Sequence, residues 1–405
     1  MTIAGAPIPE SADLVRMRRD RHDRLQTQLT AQGIDALVLL GTNAVAYATG
    51  AVVAGVDASR ASLLRPVAVV ARGDRSAHLF TPYPEGAPDE LDSSHLHAAL
   101  HPDLDDGADA LAAALNDLIA TDARVAVDDV PWPLRTALGR REVLPAAVVT
   151  GPAKLLKTPD ELACIRAAQR INEQAMVEVQ ATLRPGIRQS DLSATFLRGV
   201  CELGAHANAI DPIWQVIEPT LTGNPWASRG GIAFPTPTTD RFLREGDVVW
   251  VDTGLVYEGY ASDFGRTWLV GDDPRPSKRQ RAQYERWQAV MDAVLARCKP
   301  GVPSSELTRA AIEADGGVNG KPWIEHFYLA HGVGTESAEM PLVGTDLGDA
   351  FDESQVLAPG MVLVLEPAIW DEGAAGYRSE DIYAVTDDGW IQLSDYPYVP
   401  FGDGT

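Results

Sequence analysis

Two regimes of hydrophobic patterning divide the chain. In the first, "LVRMRRDRHDRLQTQL" places apolar residues at helical spacing among charges and predicts an amphipathic opening helix. "GIDALVLLG" follows as a short apolar run after a glycine, the mark of a buried strand. "RPVAVVARGDRSAHLFTP" runs apolar, turn, apolar, which predicts a hairpin. "DGADALAAALNDLIA" returns to helical spacing and "RVAVDDV" to a strand. This alternation predicts a small α/β domain ending near residue 150. Its histidines, His78, His95, His97 and His101, fall on surface-like segments and are expected to be bystanders.

The second regime opens at "KLLKTPDELACIRAAQRINEQAMVEVQATL". Thr158 reads as an N-cap, with Pro159 at the first helical position and acids in the first turn. A long helix is predicted there, and "QSDLSATFLRGVCELG" predicts another. From Ile210 onward strand-like runs dominate, broken by helices at about 277–297 and 303–315. The fold class is therefore α+β, with helices on a curved, largely antiparallel sheet. The expected domains are 1–152 and 153–405.

Within that second regime, acidic residues stand where strands should be buried. "GDVVWVDTGLVYEGYASDFGRTWLVGD" reads as two strands around a turn, with Asp252 and Asp263 among apolar and aromatic neighbours. Two carboxylates brought together on a hairpin repel unless a cation lies between them, and a divalent metal is the simplest compensation. "YLAHGVGTE" puts His331 at the end of an apolar strand, flanked by Gly332 and Gly334, which permit close backbone approach. "GMVLVLEPAIW" ends a Val/Leu strand in Glu366, a position where an unpartnered carboxylate costs several kcal/mol. "AGYRSEDIYAV" adds Arg378, Glu380 and Asp381 at the start of the last strand. Two Asp, one His and two Glu in one domain suit a pair of bridged divalent ions.

Composition narrows the partners. The 57 acidic residues exceed the 34 basic ones, for a formal charge of −23, which disfavours nucleic acid or an anionic membrane surface. No apolar run is long enough to span a bilayer, and the first residues form no signal-peptide core. Cys164, Cys201 and Cys298 are widely spaced and odd in number, so the expected setting is a reducing cytoplasm.

In order and context, the five motifs resemble the pita-bread metallopeptidase family (M24): Xaa-Pro dipeptidases (prolidases), aminopeptidase P and methionine aminopeptidases, with creatinase a non-metal relative. The whole chain is similar to prolidase and aminopeptidase P, a creatinase-like N-terminal domain before a pita-bread catalytic domain. The resemblance implies a cytoplasmic, homodimeric, dinuclear hydrolase acting on a small-molecule or short-peptide substrate. It implies that Asp252 chelates the first metal, Asp263 and Glu380 bridge both, and His331 and Glu366 bind the second. A bridging hydroxide would attack the scissile bond, Glu366 would accept a proton, and Arg378 would orient the carboxylates. Mn, Co, Fe or Zn all suit such a site.

The sequence also departs from that family. Its peptidases carry a histidine seven residues after the ligand histidine, where this chain has Ala338. They carry another ahead of the first aspartate, where this chain has Phe234 and Pro235. His206 and His326 are the candidate spatial substitutes, and Trp226 and Arg229 are candidate pocket residues. The losses admit an alternative, a non-peptide lyase or hydrolase on the same fold. A third reading is a catalytically silent metal-binding scaffold.

Overall fold

The computed structural model describes residues 2–52, 65–217, 238–316, 320–324, 327–371 and 375–402. They form two compact units: Ala12–Asp160, and Glu161–Thr405 together with Met1–Ser11. The division falls in the first turn of the helix Pro159–Thr182.

In the smaller unit the predicted elements are all present. The opening helix spans Leu14–Gln32, capped by the Asp13 side chain and closed by Gly33 in the left-handed conformation. A six-stranded mixed sheet carries Ala36–Leu39 near its centre, antiparallel to Val67–Ala71 and parallel to Arg124–Val127. The hairpin partner His78–Phe80 pairs antiparallel with Val67–Ala71. Every residue of Ala36–Leu39 and Val67–Ala71 is buried, as continuous apolar runs in a two-sided sheet require.

One expectation for this unit is corrected. His78 is buried, and its ring stacks 4.2 Å from His95 and 5.2 Å from His97. Parallel pairing of Leu96–His97 with His78–Phe80 brings the rings together, a contact between segments that local patterning does not encode.

The larger unit is the expected α+β assembly. Its first sheet centres on Val248–Tyr257, the Asp252 strand, flanked by Ala207–Ile217 and Phe264–Leu269, both antiparallel. Its second sheet contains Ala330–Gly332, Val362–Leu365 and Asp381–Val385 as neighbours, again antiparallel. An antiparallel bridge between Gly265 and Glu380 joins the two sheets. Helices Pro159–Thr182 and Gln189–Glu202 pack on the first sheet through Met176, Val179, Phe196 and Trp214. Each such large apolar side chain, taken fully out of water, contributes on the order of 2 kcal/mol. That packing makes the hairpin a rigid platform for its polar face.

Candidate metal centre

Hairpin register decides what the two aspartates do. Asp252 pairs with Gly265, so Asp263, two residues before Gly265, shares its face of the sheet. Both are buried. The glycine opposite Asp252 has a purpose: a Cβ at Gly265 would lie 2.7 Å from the Glu380 carboxylate carbon. Absence of that Cβ lets Glu380 reach between the sheets. One carboxylate oxygen each from Asp252, Asp263 and Glu380 lies within 4.8 Å of the others.

The second sheet supplies the remaining groups. His331 pairs with Val364, and the N–H of Glu366 bonds to the Leu329 carbonyl, so both side chains enter at adjacent strand ends. Gly332 allows the neighbouring chain to close in; a Cβ there would meet the Met340 carbonyl oxygen at 2.3 Å. The His331 Nδ1 donates to the Gly332 carbonyl at 2.9 Å, which leaves Nε2 as a lone-pair donor. That Nε2 stands 3.3 Å from Asp263 Oδ2 and 3.4 Å from Glu366 Oε1.

Arg378 ties the constellation together. Its Nη2 reaches Asp252 Oδ2 at 3.1 Å, Glu366 Oε2 at 2.7 Å and Glu380 Oε2 at 2.7 Å. The structure thus brings together all five residues singled out in the sequence, with Arg378 in their midst.

The electrostatics are unbalanced. Four buried carboxylates face one guanidinium and one imidazole, which leaves at least two negative charges uncompensated if all ionise. Burial, then repulsion from Glu380, pushes Asp252 up to about 7. Burial and then Asp252 push Asp263 up to about 8. Burial pushes Glu366 up to about 8 against the pull of Arg378 and His331. Burial, with Asp263 adding to it, holds Glu380 well above the usual carboxylate range. Asp252 Oδ1, Glu366 Oε1 and Glu380 Oε1 are buried without a hydrogen-bond partner among the described residues. Buried orphan oxygens in an anionic cluster are the arrangement that a cation relieves, so the residues present fit divalent metal.

Other sequence candidates divide differently. Asp381 faces away from the cluster, bonded to Arg266 at 2.9 Å and Ser394 at 2.8 Å. His206 is exposed against the Tyr257 ring, at the end of the Asp252 strand where Val256 pairs with Ala207. Ala338 is exposed just before the strand Glu339–Val343. His326, Trp226, Arg229, Phe234 and Pro235 lie outside the described residues.

Sequence reading missed Tyr328. Its ring lies 4.8 Å from that of His331 and 4.1 Å from that of Phe327. Burial, then Glu366 and Asp263, push its phenol pKa up. Nothing in the pattern of "FYLAHG" separates it from a core aromatic.

The chain is similar to known proteins in both sequence and fold. The sequence profile of Metallopeptidase family M24 matches residues 163–387, and that of the Creatinase/Prolidase N-terminal domain matches 21–158. The chain is 30% identical over 241 residues to the Xaa-Pro dipeptidase of Pyrococcus furiosus, covering 60% of this chain and 63% of that protein. It is 30% identical over 273 residues to the "Probable dipeptidase PepE" of Mycobacterium tuberculosis, covering 66% and 65%. The match spans just under two thirds of the length of these relatives. In fold the chain is similar to a Thermococcus sibiricus prolidase, with TM-score 0.76 and 20% identity over 95% of this chain and 98% of that one. The Pyrococcus horikoshii prolidase gives 0.71 and 23% over 94% and 99%.

Proposed function

The chain belongs to metallopeptidase family M24, and on that premise we propose that it is a dinuclear metal-dependent hydrolase of the Xaa-Pro dipeptidase and aminopeptidase type. One observation carries this reading: four buried carboxylates and one imidazole converge with three orphan oxygens among them. Asp252 would hold one ion, Asp263 and Glu380 would span both, and His331 with Glu366 would hold the other. Mn, Fe, Co and Zn all suit this carboxylate-rich set with a single imidazole. When bound, two such ions supply Lewis acidity, lowering the pKa of a water and polarising a scissile carbonyl.

The side chains divide the remaining work. Arg378 fixes Glu366 through Oε2 and leaves Oε1 unengaged by hydrogen bonds. Glu366 Oε1 would therefore be the oxygen that faces an ion, and the Glu366 carboxylate is the group to which proton uptake and release is assigned. Arg378 also spans Asp252 and Glu380, so it orients three carboxylates at once. A catalytically silent metal-binding scaffold is disfavoured because loss of catalysis would relax the requirement for so costly a set of buried carboxylates.

A second reading, a lyase or hydrolase of a non-peptide substrate, is favoured by Ala338 where family peptidases carry a proton-handling histidine. We place the protein in the cytoplasm, as a homodimer, on the basis of three widely spaced cysteines and the family's creatinase-like N-terminal domain. Among the described residues no helix is long and apolar enough to cross a membrane.

The test is metal analysis followed by turnover on Xaa-Pro peptides and a panel of small amides, esters and elimination substrates. About two ions per chain with turnover of any of these supports the hydrolase or lyase reading. No bound metal after incubation with Mn, Co, Fe and Zn rejects both.

A further inference from the structure

The helix Pro159–Thr182 presents an unusual edge to the Asp252 hairpin. Gln169, Asn172 and Glu173, at i, i+3 and i+4, share one face, with exposures of 1%, 0% and 7%. Their neighbours along the helix, Ala168, Ala175, Met176 and Val179, belong to the hydrophobic core. Three buried polar side chains in such a place are costly unless each is bonded.

Each is bonded, and the partners flank the two aspartates. The Asp263 N–H donates to Gln169 Oε1 at 3.2 Å. Gln169 Nε2 donates to Glu173 Oε1 at 3.2 Å, and the Asp395 N–H donates to the same oxygen at 2.7 Å. Asn172 Nδ2 donates to the Thr253 carbonyl at 2.9 Å and to Ser262 Oγ at 3.0 Å. Asn172 Oδ1 accepts from Thr253 Oγ1 at 3.0 Å. Thr253 follows Asp252, and Ser262 precedes Asp263.

Irregular pairing explains why outside help is needed. The ladder between the hairpin strands breaks after Thr253 and Phe264 and resumes at Val256 and Ala261, and the outer strand shifts register between Asp252 and Leu255. The Asp263 N–H therefore has no ladder partner, and a helix side chain takes its place. Glu173 also sets the polarity of the Gln169 amide, because a carboxylate draws the NH2 group and turns the carbonyl toward Asp263.

We propose that Gln169 and Asn172 are positioning residues for the metal centre, fixing the separation and orientation of Asp252 and Asp263, with Glu173 setting the direction of the Gln169 amide. This rests on the metal-binding reading above. Neither amide touches a ligand atom; both act through the backbone beside it. Outer partners of this kind typically change metal affinity by about 10- to 100-fold when lost.

The test is calorimetric titration of Mn2+ into the metal-free chain, with Co2+ absorption spectra and thermal unfolding of the metal-free forms. Gln169→Leu removes the acceptor and should weaken Mn2+ binding by about tenfold or more while shifting the Co2+ spectrum. Gln169→Glu sets two carboxylates against each other and should weaken binding similarly. The double variant Gln169→Glu/Glu173→Gln restores a donor facing an acceptor and should recover most of the parent affinity and spectrum. A Gln169→Leu chain that binds Mn2+ as tightly as a two-ion parent overturns this inference alone. So does a double variant as weak as Gln169→Glu, because a merely structural role predicts no rescue. If Gln169→Leu does not fold, the comparison of Gln169→Glu with the double variant decides. A parent that binds none of Mn2+, Co2+, Fe2+ and Zn2+ overturns the metal-binding reading and takes this inference with it; a parent that takes another of the four in place of Mn2+ is titrated with that ion, and the same outcomes decide.

Discussion

Asp263 is the residue on which the proposed centre turns, because it lies within reach of Asp252, Glu380 and His331 together. Asp263→Ala is expected to abolish binding at both metal positions, measured by elemental analysis after dialysis. Its metal-free form should unfold no more easily than the parent, since a strained buried carboxylate has been removed. Metal content equal to the parent would refute the bridging role. Gly265 makes a second test: Gly265→Ala puts a Cβ where the Glu380 carboxylate lies. Mn2+ affinity should fall by about tenfold or more, as for loss of a supporting contact; unchanged affinity would mean that Glu380 is free to move aside. The clustered carboxylates themselves were legible in the sequence, because a carboxylate at the end of a Val/Leu strand has few structural explanations. Gly265 was not. Its glycine is required by Glu380, more than a hundred residues away, and no local rule carries that information.

At the scale of elements, the hairpin shows how much a period-2 pattern conveys. It predicted both aspartates on paired strands; Asp252 is on one, while Asp263 lies in the break just before Phe264–Leu269, close enough to Asp252 to share a cluster with it. The helix beside them was legible as a helix, yet its polar edge was not, because Gln169, Asn172 and Glu173 read as ordinary solvent-facing residues. Glu173 offers a pH test of that edge. Burial pushes it up to about 7, while the Asp395 N–H and Gln169 pull the other way. Its ordinary value is 4.5, so between 4.5 and about 7 the folded chain holds the proton more tightly than the unfolded chain. The stability it contributes is thus full below 4.5 and is lost as pH rises through about 7. Glu173→Gln is neutral throughout, and in the metal-free protein it should gain on the parent by up to about 3 kcal/mol between pH 5 and pH 8. Urea unfolding at the two values measures the change. A constant difference, or one that shrinks with pH, would show that Glu173 is ionised at little cost.

On the scale of the molecule, the fold was recoverable because the long helices and the buried strands announce themselves in patterning and the five motifs occur in family order, whereas the short helices Thr42–Thr49, Trp132–Ala137 and Ala147–Leu155 do not. What the chain turns over was not recoverable, since that depends on groups the family supplies and this sequence replaces. Ala338 stands where a family peptidase has a histidine, and it has no atom that could hold a proton. The exposed ring of His206 rests on Tyr257 and does not join the cluster. Lewis acidity depends on the cations and their ligands, so activation of water should survive these losses. Stabilisation of the tetrahedral intermediate and protonation of the departing amine should not. One missing donor of this kind typically lowers the rate by about two to three powers of ten. Two acting as a unit would cost less than the product of the separate losses. Xaa-Pro dipeptides are therefore expected to be poor substrates, with Mn2+-loaded protein turning over Ala-Pro well below the enzyme median of about 10 per second. Substrates with better leaving groups, or eliminations needing only a base and a Lewis acid, should suffer less. Ala338→His is the complementary measurement. Its kcat on Ala-Pro should rise by about tenfold or more, the lower end for general acid catalysis being about a hundredfold, while Mn2+ affinity stays at the parent value. Fast hydrolysis of Ala-Pro by the parent would sink the argument. It would mean that a group already present, such as the Tyr328 phenol beside His331, handles the proton in place of the absent histidine.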